Sequence, residues 1–153
     1  MIPPTEIQAP NFVDLPWLDH GFGLRDSAHP PDIVTLKQIH SGIVRDAAEI
    51  RPGQEGDAIL SIATGIRIGV KTADCVPILL VDAETRAVAA IHAGWRGTAA
   101  NIVQAAINEM TTRWKTAPEN LRAAIGPSIG VCCYEVGPEV ARQFGTWMPK
   151  MQR

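Results

Sequence analysis

A surplus of charge of either sign is missing from this chain: Lys and Arg total 14 against 16 Asp and Glu, a formal net charge of −2. No basic stripe gathers along any segment, so binding to a phosphate backbone has little electrostatic support. Long apolar runs are missing as well. The strongest, VPILLV (76–81), falls far short of the roughly 20 residues a membrane-spanning helix needs. The first residues, MIPPTEIQAPNF, join no basic stretch to an apolar one and do not read as a secretory signal. Cysteine is sparse, three residues in all, and an odd number does not make a disulfide framework. Together these absences predict a soluble, reduced, cytoplasmic protein that binds neither nucleic acid nor membrane. They leave the oligomeric state open.

What the chain does have is enough apolar content to fold. Its 153 residues are 46% hydrophobic and 20% charged, which suits one domain with a packed core. Residues 1–17 are proline-rich and without period, and read as an extended N-terminal arm with Trp17 tucked against the body. DSAHPPD (26–32) reads as a loop, because adjacent prolines exclude helix and sheet interior alike. Short strands are predicted over 33–40 and 43–46 around a turn at Ser41-Gly42, then over 57–62, 66–73, 77–82 and 87–93. AETR (83–86) reads as a hairpin turn. These strands sit too close together for helical crossovers, so the sheet is expected to be mixed and largely antiparallel. Thr98 is predicted to cap a helix running to about Lys115, with Ile102, Val103, Ala106, Ile107, Met110 and Trp114 on one buried stripe. A strand over 121–126, a loop through GPSIGVCCYEVG and a short helix over 138–145 complete an α+β reading.

Candidate chemistry lies in three separated segments, LKQIHS, KTADCVP and AIHAGWRG. Their His40, Cys75 and His92 offer two imidazoles and a thiolate, three ligands that leave a divalent metal one open position. Each residue also has an ordinary reading: Cys75 as a small buried hydrophobe, and the histidines as satisfied strand ends. His20 and His29 read as solvated loop residues. Arg96, two residues before the expected helix cap, reads either as part of an anion site or as a surface arginine. Asp74 fits a carboxylate that orients a histidine or moves a proton, and equally a turn cap. The adjacent Cys132 and Cys133 read as packing in a Gly-flanked loop.

The stretches GDAILS (56–61), VKTADCVPILLVD (70–82), AAIHAGWRGT (89–98) and AIGPSIGVCCYEVGPEV (124–140) resemble the laccase-domain family, also named for multicopper polyphenol oxidase, peptidoglycan editing factor and purine nucleoside phosphorylase. LKQIHSGIV (36–44) and LDHGFGLR (18–25) resemble its earlier segments, so the likeness covers about 18–140. It implies a four-layer α/β/β/α sandwich over 18–153, shortened at the C-terminus relative to typical members. It also implies Zn²⁺ on His40, Cys75 and His92, with copper as the alternative metal. Gln38 matches the family's Q-x-H position, and Ser128, Cys133 and Tyr134 are placed near the pocket with Arg96. The implied reaction is phosphorolysis of adenosine, inosine and methylthioadenosine, with adenosine deamination beside it, so purine nucleoside and phosphate are the expected partners. Three other readings stay open. They are copper-dependent polyphenol oxidation, a Cys75–His92 amidase editing peptidoglycan precursors, and an inactive truncated binding domain.

Overall fold

The computed structural model describes residues 6–28 and 30–145; His29 lies outside the described residues, as do 1–5 and 146–153. In chain order the elements are β1 (Glu6–Ile7), β2 (Phe22–Gly23), β3 (Val44–Asp46), β4 (Ala58–Ser61), β5 (Val76–Asp82), β6 (Val88–Ala93), α1 (Trp95–Ala99), α2 (Ile102–Trp114), β7 (Leu121–Ile125) and α3 (Pro138–Gln143). Five strands form one sheet in the order β3-β4-β6-β5-β7, while β1 and β2 pair separately. Only β3 and β4 run parallel; every other neighbour is antiparallel. The mixed, largely antiparallel α+β class expected from strand spacing is the one observed.

The sheet's two faces follow the two-residue period of its strands. On one face Ala58, Leu60, Leu80, Ala89 and Ile91 pack against Ile102, Ala106 and Met110 of α2, with Val103, Ile107 and Trp114 at the margin. This is the stripe predicted for the helix. On the other face Val81 and Ala124 meet Ala9, Phe12, Leu15 and Phe22. Residues 6–17 therefore do not form the extended arm expected of them. Their apolar side chains cover a sheet face that would otherwise lie in water. His20 is likewise not a solvated residue: its Nε2 accepts the Ala9 amide at 3.0 Å and its ring stands edge-on to Phe12 at 5.1 Å. Of the layers implied by the family resemblance, the described residues thus supply one sheet, a helical cover on one face, and the N-terminal segment with its two-stranded sheet on the other.

Three local expectations are corrected. The predicted strands at 33–40 and 66–73 shrink to isolated bridges, Val34 to Ile68 and Lys37 to Glu55, because the chain beyond Lys37 leaves the pairing to wrap around a buried carboxylate. The single helix expected from Thr98 is broken into α1 and α2 at Asn101, which lies at φ +58°. Thr98 is therefore inside α1, whose cap is Gly94. The parallel β3–β4 pair is joined without any α-helix, through a 3-10 turn at Ala47–Glu49. The AETR turn does form, closing β5 onto β6 with Asp82 N–H donating to the Ala87 carbonyl at 2.8 Å. Among the described residues no helix is long and apolar enough to cross a membrane.

That hairpin yields a stability prediction. Asp82 is fully buried and its Oδ1 accepts the Glu84 and Thr85 amides at 2.9 and 3.1 Å. Burial alone would raise its pKa, but the bonds from Thr85 and Glu84 outweigh it and hold the carboxyl below its ordinary value. A depressed folded pKa stabilises the fold above the unfolded value of about 4, and that stability disappears as pH falls through the folded value. Asp82→Ala should cost about 1–3 kcal/mol at pH 7. Its deficit relative to the parent should shrink toward pH 3, as read from urea melts across that range.

Candidate metal centre

His40, Cys75 and His92 arrive from three different places in the fold. His92 is near the end of the central strand β6 and is buried, 4% exposed. Cys75 immediately precedes β5, whose antiparallel pairing with β6 sets Val76 opposite Ala93 and Pro77 opposite His92. His40 lies on the loop before β3. The antiparallel register thus delivers two ligands to one end of the sheet, and the loop brings the third. One ligand atom from each residue lies within 4.8 Å of the others. Zinc bonds of about 2.0–2.3 Å in a tetrahedron place ligand atoms roughly 3.3–3.7 Å apart, so a small contraction completes the site. The two imidazoles meet edge-on, 4.9 Å between centroids at 73°.

Space for an ion is kept by Gly94. A Cβ built there would stand 3.0 Å from His40 Cδ2, 3.1 Å from Cys75 Sγ and 3.8 Å from His92 Cε1, among all three ligands. Its φ is −71°, so the backbone does not require glycine. The space does.

The loop bearing His40 is shaped by Asp57, a residue sequence reading passed over as part of a strand. Asp57 is fully buried at the entrance to β4. Its carboxylate accepts the successive amides of Ile39, His40 and Ser41 at 3.3, 3.0 and 2.7 Å, and the Ser41 hydroxyl at 2.6 Å. The same carboxylate lies 2.8 Å from Nδ1 of His92. His40 pays for this wrapping with a left-handed φ of +58°, a conformation that costs a non-glycine residue of order 1–3 kcal/mol. Burial would raise the Asp57 pKa, but hydrogen bonds from Ser41, His92 and Ile39 outweigh it, and the carboxyl is held below its usual range. The one signal in the sequence was the DA step opening an apolar strand, where a charge must find buried partners.

Residues 24–153 match the family model described as multi-copper polyphenol oxidoreductase laccase. The chain belongs to that family. Over 121 residues it is 37% identical to a purine nucleoside phosphorylase of Clostridium acetobutylicum, covering 79% of this chain and 51% of that protein. It is 44% identical over 123 residues to adenosine deaminase RL5, from an unknown prokaryotic organism, covering 74% of this chain and 47% of that one. Among solved structures, YlmD from Geobacillus stearothermophilus aligns with a TM-score of 0.70 at 30% identity, over 80% of this chain and 49% of that one. A Neisseria meningitidis protein aligns at 0.69 and 41%, over 76% and 47%. The chain spans about half the length of the relatives it matches.

The remaining candidate residues of this laccase-family chain divide clearly. Gln38 uses both ends of its amide on the Lys71 main chain, donating to the carbonyl at 2.8 Å and accepting the amide at 2.7 Å. It clamps the His40 loop to the segment leading into Cys75. Arg96 is not ahead of a cap but in the first turn of α1, exposed, with its guanidinium 4.3 Å over the Trp95 ring. The five-residue α1 offers no extended dipole for an anion, so any anion binding there rests on the guanidinium. Asp74 is exposed, and the carboxylate that touches His92 is Asp57 instead. Ser128, Cys133 and Tyr134 are exposed on the 127–136 loop, which is tied to the site's edge where the Ile129 amide donates to the Asp74 carbonyl at 3.0 Å. Cys132 and Cys133 are both exposed, their sulfurs 2.8 Å apart, so they are not packing residues.

Gly94→Ala tests the centre directly. The added methyl should lower zinc affinity at least tenfold, as measured by chelator competition. The thermal midpoint of the metal-free protein should move by only a few degrees, since the crowded neighbours are side-chain atoms and the nearest belongs to the exposed His40.

Proposed function

We propose that this chain carries a zinc centre on His40, Cys75 and His92 that serves purine-nucleoside chemistry, with phosphorolysis as the principal reaction. The observation that carries the reading is the convergence of two imidazoles and one thiol around a glycine-kept space. The names of the relatives, purine nucleoside phosphorylase and adenosine deaminase, supply the substrate class. Two imidazoles and a thiolate suit a borderline-soft ion in a tetrahedral setting with one position open. Zinc so bound would supply a Lewis acid for an oxygen brought to that position.

The residues around the centre have separable parts in such a reaction. Arg96 is exposed and, among the described residues, has no ion-pair partner, so its guanidinium is free to take a phosphate oxygen. Asp74, exposed beside Cys75, is placed to exchange a proton with solvent or with the departing base. Ser128, Cys133 and Tyr134 would border the nucleoside from the 127–136 loop. Water reaches this edge readily, which also suits deamination of adenosine as the companion activity in a cytoplasmic enzyme.

The amidase reading needs Cys75 as a thiolate without a metal. Burial, then the Asp74 and Asp57 carboxylates, push this thiol above its ordinary pKa. Its surroundings favour a cation, not a free thiolate. In metal-free protein, iodoacetamide should therefore modify Cys75 slowly at pH 7 and faster only as the pH climbs past about 9. Rapid labelling at pH 7, relative to the exposed Cys132 and Cys133, would restore the nucleophile mechanism.

Elemental analysis should find close to one zinc per chain in the purified protein. With adenosine and phosphate, that protein should form adenine and ribose 1-phosphate at least a hundredfold faster than a His92→Ala variant. Equal product in both, or neither zinc nor product in the parent, would count decisively against the proposal. Oxygen uptake with a phenol under copper loading is the result that would favour oxidase chemistry.

A further inference from the structure

We infer that Asp57 is a positioning residue that sets the tautomer of His92 and, through it, the metal affinity of the centre; the second half rests on the zinc reading above. The argument begins with how the carboxylate divides its bonds. Oδ2 faces three donors: the amides of Ile39 and Ser41 and the Ser41 hydroxyl. Oδ1 faces two groups, and both belong to the histidines: the His40 amide at 3.0 Å and the His92 ring at 2.8 Å.

A carboxylate held as an anion only accepts hydrogen bonds. Nδ1 of His92 must then carry the ring proton, which leaves Nε2 with the lone pair a metal requires. The main chain reinforces this arrangement, because the His92 amide donates to the Asp57 carbonyl at 2.7 Å. The same residue therefore fixes the His92 backbone, its ring and the turn that presents His40. Both imidazoles are placed without help from an ion, so little ordering remains to be done on binding.

The alternative is that Asp57 serves only to close the 39–41 turn. The two roles separate in Asp57→Asn. An asparagine has one accepting oxygen and one donating NH₂. Three donors on the Ser41 side against two on the histidine side favour keeping the oxygen toward Ser41. The NH₂ then faces His92 Nδ1, which must become the acceptor. The proton moves to Nε2, and the ligand atom is lost. Ser41→Ala is the matching control, since it removes a 2.6 Å bond to Oδ2 and leaves the Oδ1 contacts alone.

The test combines zinc affinity, by competition with a chromophoric chelator, with ¹⁵N NMR of the histidine rings in zinc-free protein. The parent is expected to show His92 protonated at Nδ1. Asp57→Asn is expected to show it protonated at Nε2 and to bind zinc about 10–100-fold more weakly. Ser41→Ala should keep the parental tautomer and an affinity within about threefold. An unchanged tautomer in Asp57→Asn, or equal zinc affinity for Asp57→Asn and the parent, would overturn the inference. So would equal losses of affinity in Asp57→Asn and Ser41→Ala. If Asp57→Asn does not melt cooperatively, the parent alone decides: His92 protonated at Nε2 would refute the role. A parent that binds no zinc would remove the metal reading and leave the tautomer assignment standing or falling by the NMR.

Discussion

The buried carboxylate of Asp57 organises the end of the sheet at which the candidate metal ligands gather. An anion without solvent is costly unless donors surround it, and here three consecutive amides, a hydroxyl and an imidazole do so. Satisfying that charge forces the chain at Ile39–Ser41 to curl and places His40 in a left-handed conformation. It also ties the loop to β6, two strands over from β3. Removing the whole side chain, oxygens included, would release the turn, the His40 backbone and the His92 ring together.

The packing supports this arrangement from both sides of the sheet. Behind the site, α2 seals one face with Ile102, Ala106 and Met110, so β4 and β6 are held rigidly where Asp57 and His92 emerge. Gly97 lets α1 approach the loop closely; a Cβ there would lie 2.8 Å from the Ser41 carbonyl. Gly94, three residues earlier, keeps the space between the ligands clear. Two glycines in one short segment thus serve different needs, one for helix-to-loop contact and one for room. On the opposite face the N-terminal segment covers Val81 and Ala124, and the Ala9–His20 bond fixes its path.

Membership of the laccase family and the candidate metal centre are connected by chemistry as well as by likeness. Burial, then the Asp74 and Asp57 carboxylates, hold the Cys75 thiol above its ordinary pKa, and a cation bound there would offset that charge. Among the described residues there is one such candidate group, whereas the family's printed description speaks of multi-copper oxidoreductases. Arg96 and much of the 127–136 loop are exposed, close in sequence or by hydrogen bond to the segments that carry the candidate ligands.

Much was legible in the residue order because it depends on short-range rules. Short apolar runs marked β5 and β6, the 3–4 spacing marked α2, AETR marked the hairpin, and His40, Cys75 and His92 stood out through the family resemblance of their segments. The strands, helix and turn follow from apolar patterning and turn chemistry, which a linear chain displays openly. Tertiary structure alone decided the rest. It converted an apparent arm into a core-covering segment, because an uncovered apolar sheet face had to be buried. It broke the long helix at Asn101, and it reduced two expected strands to isolated bridges, because the turn at Ile39–Ser41 had to enclose a charge. Above all it selected Asp57 over Asp74 as the partner of His92. Which carboxylate reaches a ring depends on strand register across the sheet, and no local pattern along the chain encodes that.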